Sequence, residues 1–382
     1  MPELRRDPAS RSWVIIATER SRRPSDFRVP RDERKGGVCP FCYGNEHMTP
    51  PEVLALGRDA DSPNDKGWSV RVVPNKFPAL TLDAPDAGDG APGERGSSGG
   101  PCGPRRLFQR LPAIGVHEVL VESPDHDSTF GTHSQSQMED ILEALVARAK
   151  ALSRDRRLSY LQIFKNWGRV AGASLEHTHC QLIATPNVPA VIEEELAIAR
   201  EHYDRTGECL YCAMVEAEVS EGVRIVERSD RFLVFCPYAA RFPFETWIMP
   251  VTHGARFEDI DGAELADLAR MLRRTVRRFE LGFETFPYNL IWHTSPWTGD
   301  FGAYYHWHLE LVPRLATLAG FELGTGYYIN PTAPEDAAAS LRECALENTG
   351  AGVRGPEVTG ARAEDKTWGT ASRGVEEGAL EK

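Results

Sequence analysis

The chain has 382 residues, 41% of them hydrophobic, enough for one large unit or two packed modules around a sizeable core. Its net charge of −12 argues against a general nucleic-acid binder and leaves only a local basic pocket, suited to a phosphate. No apolar run approaches the roughly 20 residues that span a bilayer, and "MPELRRDPASRSW" lacks the apolar core of a secretory signal, so a soluble cytoplasmic protein is expected.

In chain order, "WVIIATERSRRP" comes first, an apolar stretch followed by Arg20 and Arg23. These two either carry the charge of a phosphate or form a solvated basic turn. "CPFC" follows, with Cys39 and Cys42 in a Gly-flanked loop. Residues 83–104, rich in Gly, Pro and Ser, read as a mobile insertion between ordered blocks. After it, "EVLVESPDH" reads as a strand ending at His126, and "QMEDILEALVARAKAL" carries apolar residues at helical spacing. "YLQIF" is a strand, and "GASLEHTHCQL" brings His177 and His179.

The same order then recurs. "CLYC" holds Cys209 and Cys212, "ETWIMPVTH" reads as a strand ending at His253, "AELADLARMLRRTVRRF" as a helix, and "YNLIW" as a strand before His306-Trp-His308. From the strand-end histidine to the first histidine of the H-x-H pair is 51 residues in the first pass and 53 in the second. Five features in matching order read as an internal duplication. The predicted fold class is α+β: two strand-rich modules, residues 1–190 and 191–347, sharing a continuous sheet or packed about a pseudo-twofold. From about residue 348 to 382 the chain is Gly-rich and charged without apolar period, and is expected to be disordered.

Eight cysteines in a cytoplasmic chain point to metal or redox chemistry before disulfides. A C-x-x-C spacer lets two thiolates reach one tetrahedral ion. The candidate zinc sets are Cys39, Cys42, His126, His177 and Cys209, Cys212, His253, His306. His47 and His117 compete for the first, and the duplication favours His126. The alternatives are a redox pair or two buried cysteines; a redox pair should open a helix just after a strand, and "CPFC" lies in a loop.

Side chains at i and i+2 of a strand share one face, about 7 Å apart, so His177 and His179 look into one site. Both bind one metal, or both are hydrogen-bonded core residues, or one is a ligand and the other does chemistry. Two cysteines and His126 leave one vacancy, which spares one ring of the pair. An imidazole with a pKa near its reference of about 6.5 is mostly neutral at pH 7 and a good nucleophile. Toward phosphorus it forms a labile N–P bond that hands a nucleotidyl group onward. "NWGRVAGAS" supplies Gly168 and Gly172 for close backbone approach to a phosphate, and Ser174 and Gln181 add neutral donors.

"GASLEHTHCQ" resembles the active-site strand of the galactose-1-phosphate uridylyltransferase branch of the histidine-triad superfamily, whose motif is usually Gly-x-Ser-x-x-His-Pro-His-x-Gln. "WVIIATERSRRP", "VRVVPNKFPAL", "SPDH", "FPFETWIMP" and "AGFELGTGYYINP" resemble its other landmarks in the same order, over roughly residues 5–345. The resemblance implies a duplicated histidine-triad fold, each half an antiparallel sheet with packed helices. It implies ping-pong transfer of UMP from a UDP-sugar, through a covalent histidine, to a hexose 1-phosphate. His179 is then the nucleophile, and His177 is the zinc ligand with Cys39, Cys42 and His126. Gln181 and Ser174 match positions that hold phosphoryl oxygens, Asn75 and Phe77 positions near the nucleotide, and Asn166 one near the phosphates. Arg20 and Arg23 match phosphate-binding arginines, and Glu322 a residue that contacts the sugar. Family members often form dimers, so a homodimer is implied by resemblance alone.

Two departures stand out. Thr178 replaces the usual proline, at an expected cost in rigidity. The second C-x-x-C and "GFELGTGYYINP" also resemble a branch that includes ADP-glucose phosphorylases, which pass AMP to inorganic phosphate through the same histidine. Some members hold a second metal with a glutamate and three histidines, here Glu195, His293, His306 and His308, which makes iron the alternative to zinc at the second centre; the cysteine set is preferred because thiolates select zinc. The leading expectation is a UDP-glucose–hexose-1-phosphate uridylyltransferase, the runner-up an ADP-glucose phosphorylase. A hydrolase is disfavoured because Gln181 cannot donate a proton to a leaving group. The non-enzyme alternative is a zinc-stabilised nucleotide-binding scaffold. "HWHLEL" reads as a retired copy of the active strand, with His308 facing the same region.

Overall fold

The computed structural model describes residues 2–17, 24–27, 36–58, 63–82 and 112–344. All of these belong to one unit, residues 1–347. The insertion at 83–104, the tail at 348–382, Arg20 and Arg23 lie outside the described residues.

Ten strands form one sheet in which every neighbouring pair is antiparallel. From one edge to the centre run β3 (Leu54–Leu56), β4 (Val70–Pro74), β5 (Val116–Val121), β7 (His179–Thr185) and β6 (Tyr160–Trp167). From the other edge run β8 (Ile225–Arg228), β9 (Phe232–Phe235), β10 (Thr246–Pro250), β12 (His308–Pro313) and β11 (Tyr288–His293). The two halves carry the same order of strands and join where β6 pairs with β11. A smaller sheet sets β2 (Trp13–Ile16) between β1 (Glu3–Arg6) and β13 (Tyr328–Asn330), the last pair parallel.

Period-two alternation sorts the strand side chains between two layers. Leu120, Leu161, Ile163, Leu182, Val234, Ile248, Leu290, Trp292, Leu309 and Leu311 face α1 (Gln135–Leu152) and α4 (Gly262–Gly282). Both helices present apolar residues at three- and four-residue spacing: Met138, Ile141, Leu142 and Leu145 from α1, Leu268, Met271, Leu272 and Val276 from α4. Ser134 caps α1 by accepting from the Gln137 amide, and Asp261 with Glu264 closes a capping box on α4. On the opposite face, Tyr160, Leu233, Phe235, Trp247 and Met249 meet α2 (Ala190–Thr206) and α3 (Leu210–Glu221). The remaining helices, α5 (Gly320–Thr325) and α6 (Pro334–Glu343), follow the sheet; α6 buries Ala337, Ala338 and Leu341 with α4.

The architecture is α+β. Two expected strands end early. β5 stops at Val121 and β10 at Pro250, so His126 and His253 sit in the following turns. Pro124 supplies no amide for a ladder, and the Ser123 hydroxyl accepts from the Asp125 amide at 3.0 Å, which turns the chain. Among the described residues no helix is long and apolar enough to cross a membrane.

Candidate functional site

The loop carrying Cys39 and Cys42 meets the turn after β5 and the residue two before β7. Cys39, Cys42, His126 and His177 hold their donor atoms within 4.8 Å of one another. His126 Nδ1 is 3.2 Å from Cys42 Sγ, and His177 Nδ1 is 3.6 and 3.8 Å from Cys42 and Cys39 Sγ. Zinc–thiolate bonds of about 2.3 Å and zinc–imidazole bonds of about 2.0 Å put tetrahedral donors roughly 3.3–3.8 Å apart, so this set fits zinc. His177 Nε2 lies 2.7 Å from the Ser123 carbonyl, which only accepts; the ring proton is therefore on Nε2 and the Nδ1 lone pair faces the thiols. Burial lowers the His177 pKa to about 4, keeping the ring neutral as a ligand must be. Burial and the neighbouring Cys39 push the Cys42 thiol up to about 11. His47 is exposed on a short turn and His117 lies on β5, bonded elsewhere.

His179 begins β7 on the face away from α1 and α4. Its Nδ1 lies 2.8 Å from the carbonyl of His177, so Nδ1–H donates there and the lone pair is left on Nε2. Burial lowers its pKa, so the ring is neutral, and Phe41 meets it edge-on at 5.6 Å. Gln181 follows on the same face, with Oε1 2.9 Å from His117 Nε2. Asn75 accepts from the Phe77 amide at 2.9 Å and sets Nδ2 3.1 Å from the same His117 nitrogen; the Phe77 ring itself is exposed.

The glycine segment differs from expectation. Gly168 and Gly172 have φ of 82° and 92°, conformations that favour glycine. They bend the chain so that the amides of Ala171 and Ala173 donate to the Gly168 carbonyl and the Gly172 amide to that of Arg169. These amides close the turn itself and are not offered outward, so Gly172 shapes the segment rather than presenting its own donor. Ser174 follows, exposed. Asn166 Oδ1 accepts from Asn289 Nδ2 at 2.7 Å, and the same nitrogen holds the Ala171 carbonyl at 2.8 Å. Glu322 caps α5 by accepting from the Ala319 amide at 3.0 Å; among the described residues no hydrogen bond, ion pair or ring contact links α5 to β7.

In the second half, Cys209, Cys212, His253 and His306 form a like cluster within 4.8 Å. Cys212 Sγ is 3.2 Å from His253 Nδ1 and 3.5 Å from His306 Nδ1, and His253 Nε2 donates to the Gly302 carbonyl at 2.7 Å. Cys209 caps α3, so this C-x-x-C, unlike the first, does open a helix, though after α2 rather than a strand. The hydrogen bond from Cys212 lowers the Cys209 pKa to about 4 and raises that of Cys212. The alternative set of Glu195, His293, His306 and His308 is divided. His306 turns to Cys212, while His293, His308 and Glu310 form a third cluster within 4.8 Å and Glu195 lies 3.3 Å from His293. Burial works against the charged His293 ring, but Glu195 and Glu310 outweigh it and hold its pKa up at about 10.

His308 repeats the geometry of His179, its Nδ1 3.1 Å from the carbonyl two residues back. It does not face an open region. Trp247 stacks on it at 4.7 Å, His293 at 4.6 Å, and Tyr211 of α3 packs at 5.1 Å. In this half α2 and α3 pack on the face bearing His308, whereas in the first half Gln181 is partly exposed and Ser174 exposed.

A family model described as "Galactose-1-phosphate uridyl transferase, N-terminal domain" matches residues 1–189, and a model for a domain of unknown function matches 122–351. An ADP-glucose phosphorylase of Arabidopsis thaliana is 34% identical over 90% of this chain and 93% of its own length. A galactose-1-phosphate uridylyltransferase of Thermotoga maritima is 30% identical over 91% of this chain and all of its own. The chain belongs to the galactose-1-phosphate uridylyltransferase family. Among solved structures, the ADP-glucose phosphorylase of Arabidopsis thaliana with bound ADP-glucose is similar with a TM-score of 0.73, 31% identity, and coverage of 91% of this chain and 100% of that one. A uridylyltransferase structure is similar with a TM-score of 0.66 at 27% identity, covering 90% and 98%.

Within this family member, several residues of the site escaped the sequence reading. Asn289 reaches Asn166 across the seam between halves, and only the β6–β11 register reveals that pairing. Lys165, Glu122 and Thr178 form a buried cluster beneath the histidines: Lys165 Nζ is 2.7 Å from both Glu122 Oε1 and Thr178 Oγ1. Thr178 also donates to Glu122, and the Cys180 thiol does so at 3.1 Å. The residue in place of proline is therefore tied down through its side chain.

Proposed function

We propose that this enzyme exchanges UMP between UDP-glucose and galactose 1-phosphate through a covalent intermediate on His179. The observation that carries the reading is the proton on Nδ1 of His179, committed to the His177 carbonyl, which leaves a neutral ring with a free lone pair at Nε2. That lone pair attacks the α-phosphorus of the nucleotide sugar. An N–P bond forms, and the phosphorus–oxygen bond to the hexose 1-phosphate breaks, the electron pair leaving on a phosphate oxygen that needs no proton. The second hexose 1-phosphate reverses the step: its oxygen attacks phosphorus and the N–P bond returns its pair to Nε2.

Gln181 and Ser174 are assigned to the phosphoryl oxygens, Asn166 to the phosphates, Asn75 and Phe77 to the nucleotide, and Glu322 to the sugar. Arg20 and Arg23 are assigned to phosphate. Zinc, held by Cys39, Cys42, His126 and His177, supplies structural closure: it would fix the main chain whose carbonyl orients His179. A second zinc is assigned to Cys209, Cys212, His253 and His306. The reading places the enzyme in the reducing cytoplasm, where free thiols persist.

A second reading, passage of AMP from ADP-glucose to inorganic phosphate by the same histidine, is favoured by the 34% identity to a phosphorylase of that specificity. Radiolabelled UDP-glucose and ADP-glucose, each crossed with galactose 1-phosphate and inorganic phosphate, decide between them. Label from UDP-glucose that galactose 1-phosphate discharges is the expected result; label only from ADP-glucose gives the second reading. His179→Gly should cut turnover by at least roughly three orders of magnitude with fold and zinc content intact. Nucleotide binding without turnover in the unaltered protein would instead indicate a zinc-stabilised scaffold.

A further inference from the structure

We propose that His117 is a positioning residue that turns the Gln181 side-chain amide so that its N–H groups face the phosphoryl group. The inference rests on the reading of His179 as the residue that takes up the nucleotide.

His117 pairs with Ile183 across β5 and β7, and its side chain lies on the same sheet face as Gln181. One contact settles its tautomer. The Ala79 backbone amide can only donate, and it lies 3.2 Å from His117 Nδ1. Nδ1 therefore carries the lone pair and Nε2 the proton. That proton points at Gln181 Oε1, 2.9 Å away. Were the Gln181 amide flipped, two N–H groups would oppose each other across that distance. Asn75 Nδ2, 3.1 Å from the same ring nitrogen, is a donor like the protonated Nε2 and makes no hydrogen bond to it in this tautomer; Asn75 does not turn its oxygen to the ring, because Oδ1 already accepts from the Phe77 amide. The Gln181 carbonyl is thus consumed inward. Its amide nitrogen has no hydrogen-bond partner among the described residues and stays free to donate.

The consequence is chemical. A glutamine amide presents a donor or an acceptor to the same point, depending on one rotation about its terminal bond. Only the donor attracts a phosphoryl oxygen, and an oxygen turned toward it repels. The second half anchors its corresponding residue differently. Glu310 stands two after His308 as Gln181 stands two after His179, and it is gripped by Arg241, which also bonds Glu245 at 3.0 Å. A guanidinium suits a carboxylate; a single ring N–H suits an amide carbonyl and leaves the other end of that amide available.

The test is single-turnover formation of nucleotidyl-His179 from labelled UDP-glucose and ADP-glucose, with nucleotide-sugar binding measured separately. His117→Phe keeps a ring and loses the donor; His117→Gln keeps a donor near the Nε2 position. The expected result is a covalent step slowed roughly ten- to a hundredfold in H117F, with binding changed less than about threefold. H117Q should recover most of the rate, and H117F should add nothing to Q181A. An unslowed H117F, or an equal slowing in the Q181A background, overturns the proposal. If H117F does not fold, H117N, whose shorter side chain cannot reach Gln181, is read by the same two outcomes. Absence of label on the unaltered protein from either sugar would overturn the reading of His179 and this inference together. Label there with an unaffected H117F overturns the inference alone.

Discussion

Thr178 stands between two histidines that face the site, so strand alternation sends its side chain to the other side of the sheet. There it meets Lys165 and Glu122, both wholly buried. Burial favours the neutral acid, but Lys165, together with His133, outweighs it and holds the Glu122 pKa down at about 2. Removing one partner leaves the other charge stranded in the core. Lys165→Met should therefore lower unfolding free energy by about 3–5 kcal/mol, and adding Glu122→Gln should restore part of it, because the stranded charge is then gone. Denaturant midpoints measure both. The pH dependence has a definite sign. Glu122 ionises more readily in the folded state, so its contribution is complete above the unfolded carboxyl pKa of about 4.3 and is lost as pH falls toward the folded value. K165M should lack that acid-side loss; a parallel pH profile in the two proteins would mean the pair does not hold this strand.

At the scale of elements, the two halves of the sheet carry the same strands and differ in what covers them. α2 and α3 lie on the face bearing His308 and Glu310, both buried, whereas on the corresponding face of the first half His179 is buried and Gln181 stays partly exposed. Tyr211 of α3 and Trp247 of the neighbouring strand β10 pack against the His308 ring, so a phosphate has no approach to it. His308→Ala should leave formation of nucleotidyl-His179 within about twofold and cost roughly 2–4 kcal/mol of stability, as for other large buried side chains truncated in a core. A fall in the covalent step matching that of His179→Gly would show that both copies work. Much of this frame was legible beforehand. The helices α1 and α4 stand out through three- and four-residue apolar spacing, and the H-x-H pairs through their repetition. What was not legible is register and facing. Nothing in the spacing of "CLYC" says that the helix it opens will lie over His308, and nothing local to His117 says that it will meet Gln181, 64 residues away. The strand ends were misjudged for a simpler reason: "SPDH" continues the polar pattern of a strand, yet its proline and serine turn the chain.

At the scale of the whole unit, the two cysteine–histidine clusters tie segments far apart in sequence. The first joins residues up to 138 apart, Cys39 to His177, and the second residues up to 97 apart, Cys209 to His306. Loop-closure entropy grows only with the logarithm of that separation, so the difference between the two is worth less than about 0.5 kcal/mol. Loss of a metal from either proposed site should then cost comparable stability. Function should separate them. The first cluster includes His177, whose carbonyl fixes the proton of His179, while the second includes His306, whose neighbour His308 is closed off. His126→Ala and His253→Ala should each retain about one of two zinc equivalents by elemental analysis and show similar drops in thermal midpoint. Formation of nucleotidyl-His179 should collapse in H126A and survive largely intact in H253A at a temperature where both are folded. Equal losses of that step would mean that the metal centres serve only to hold the fold, and that the orientation of His179 does not depend on the ion beside it.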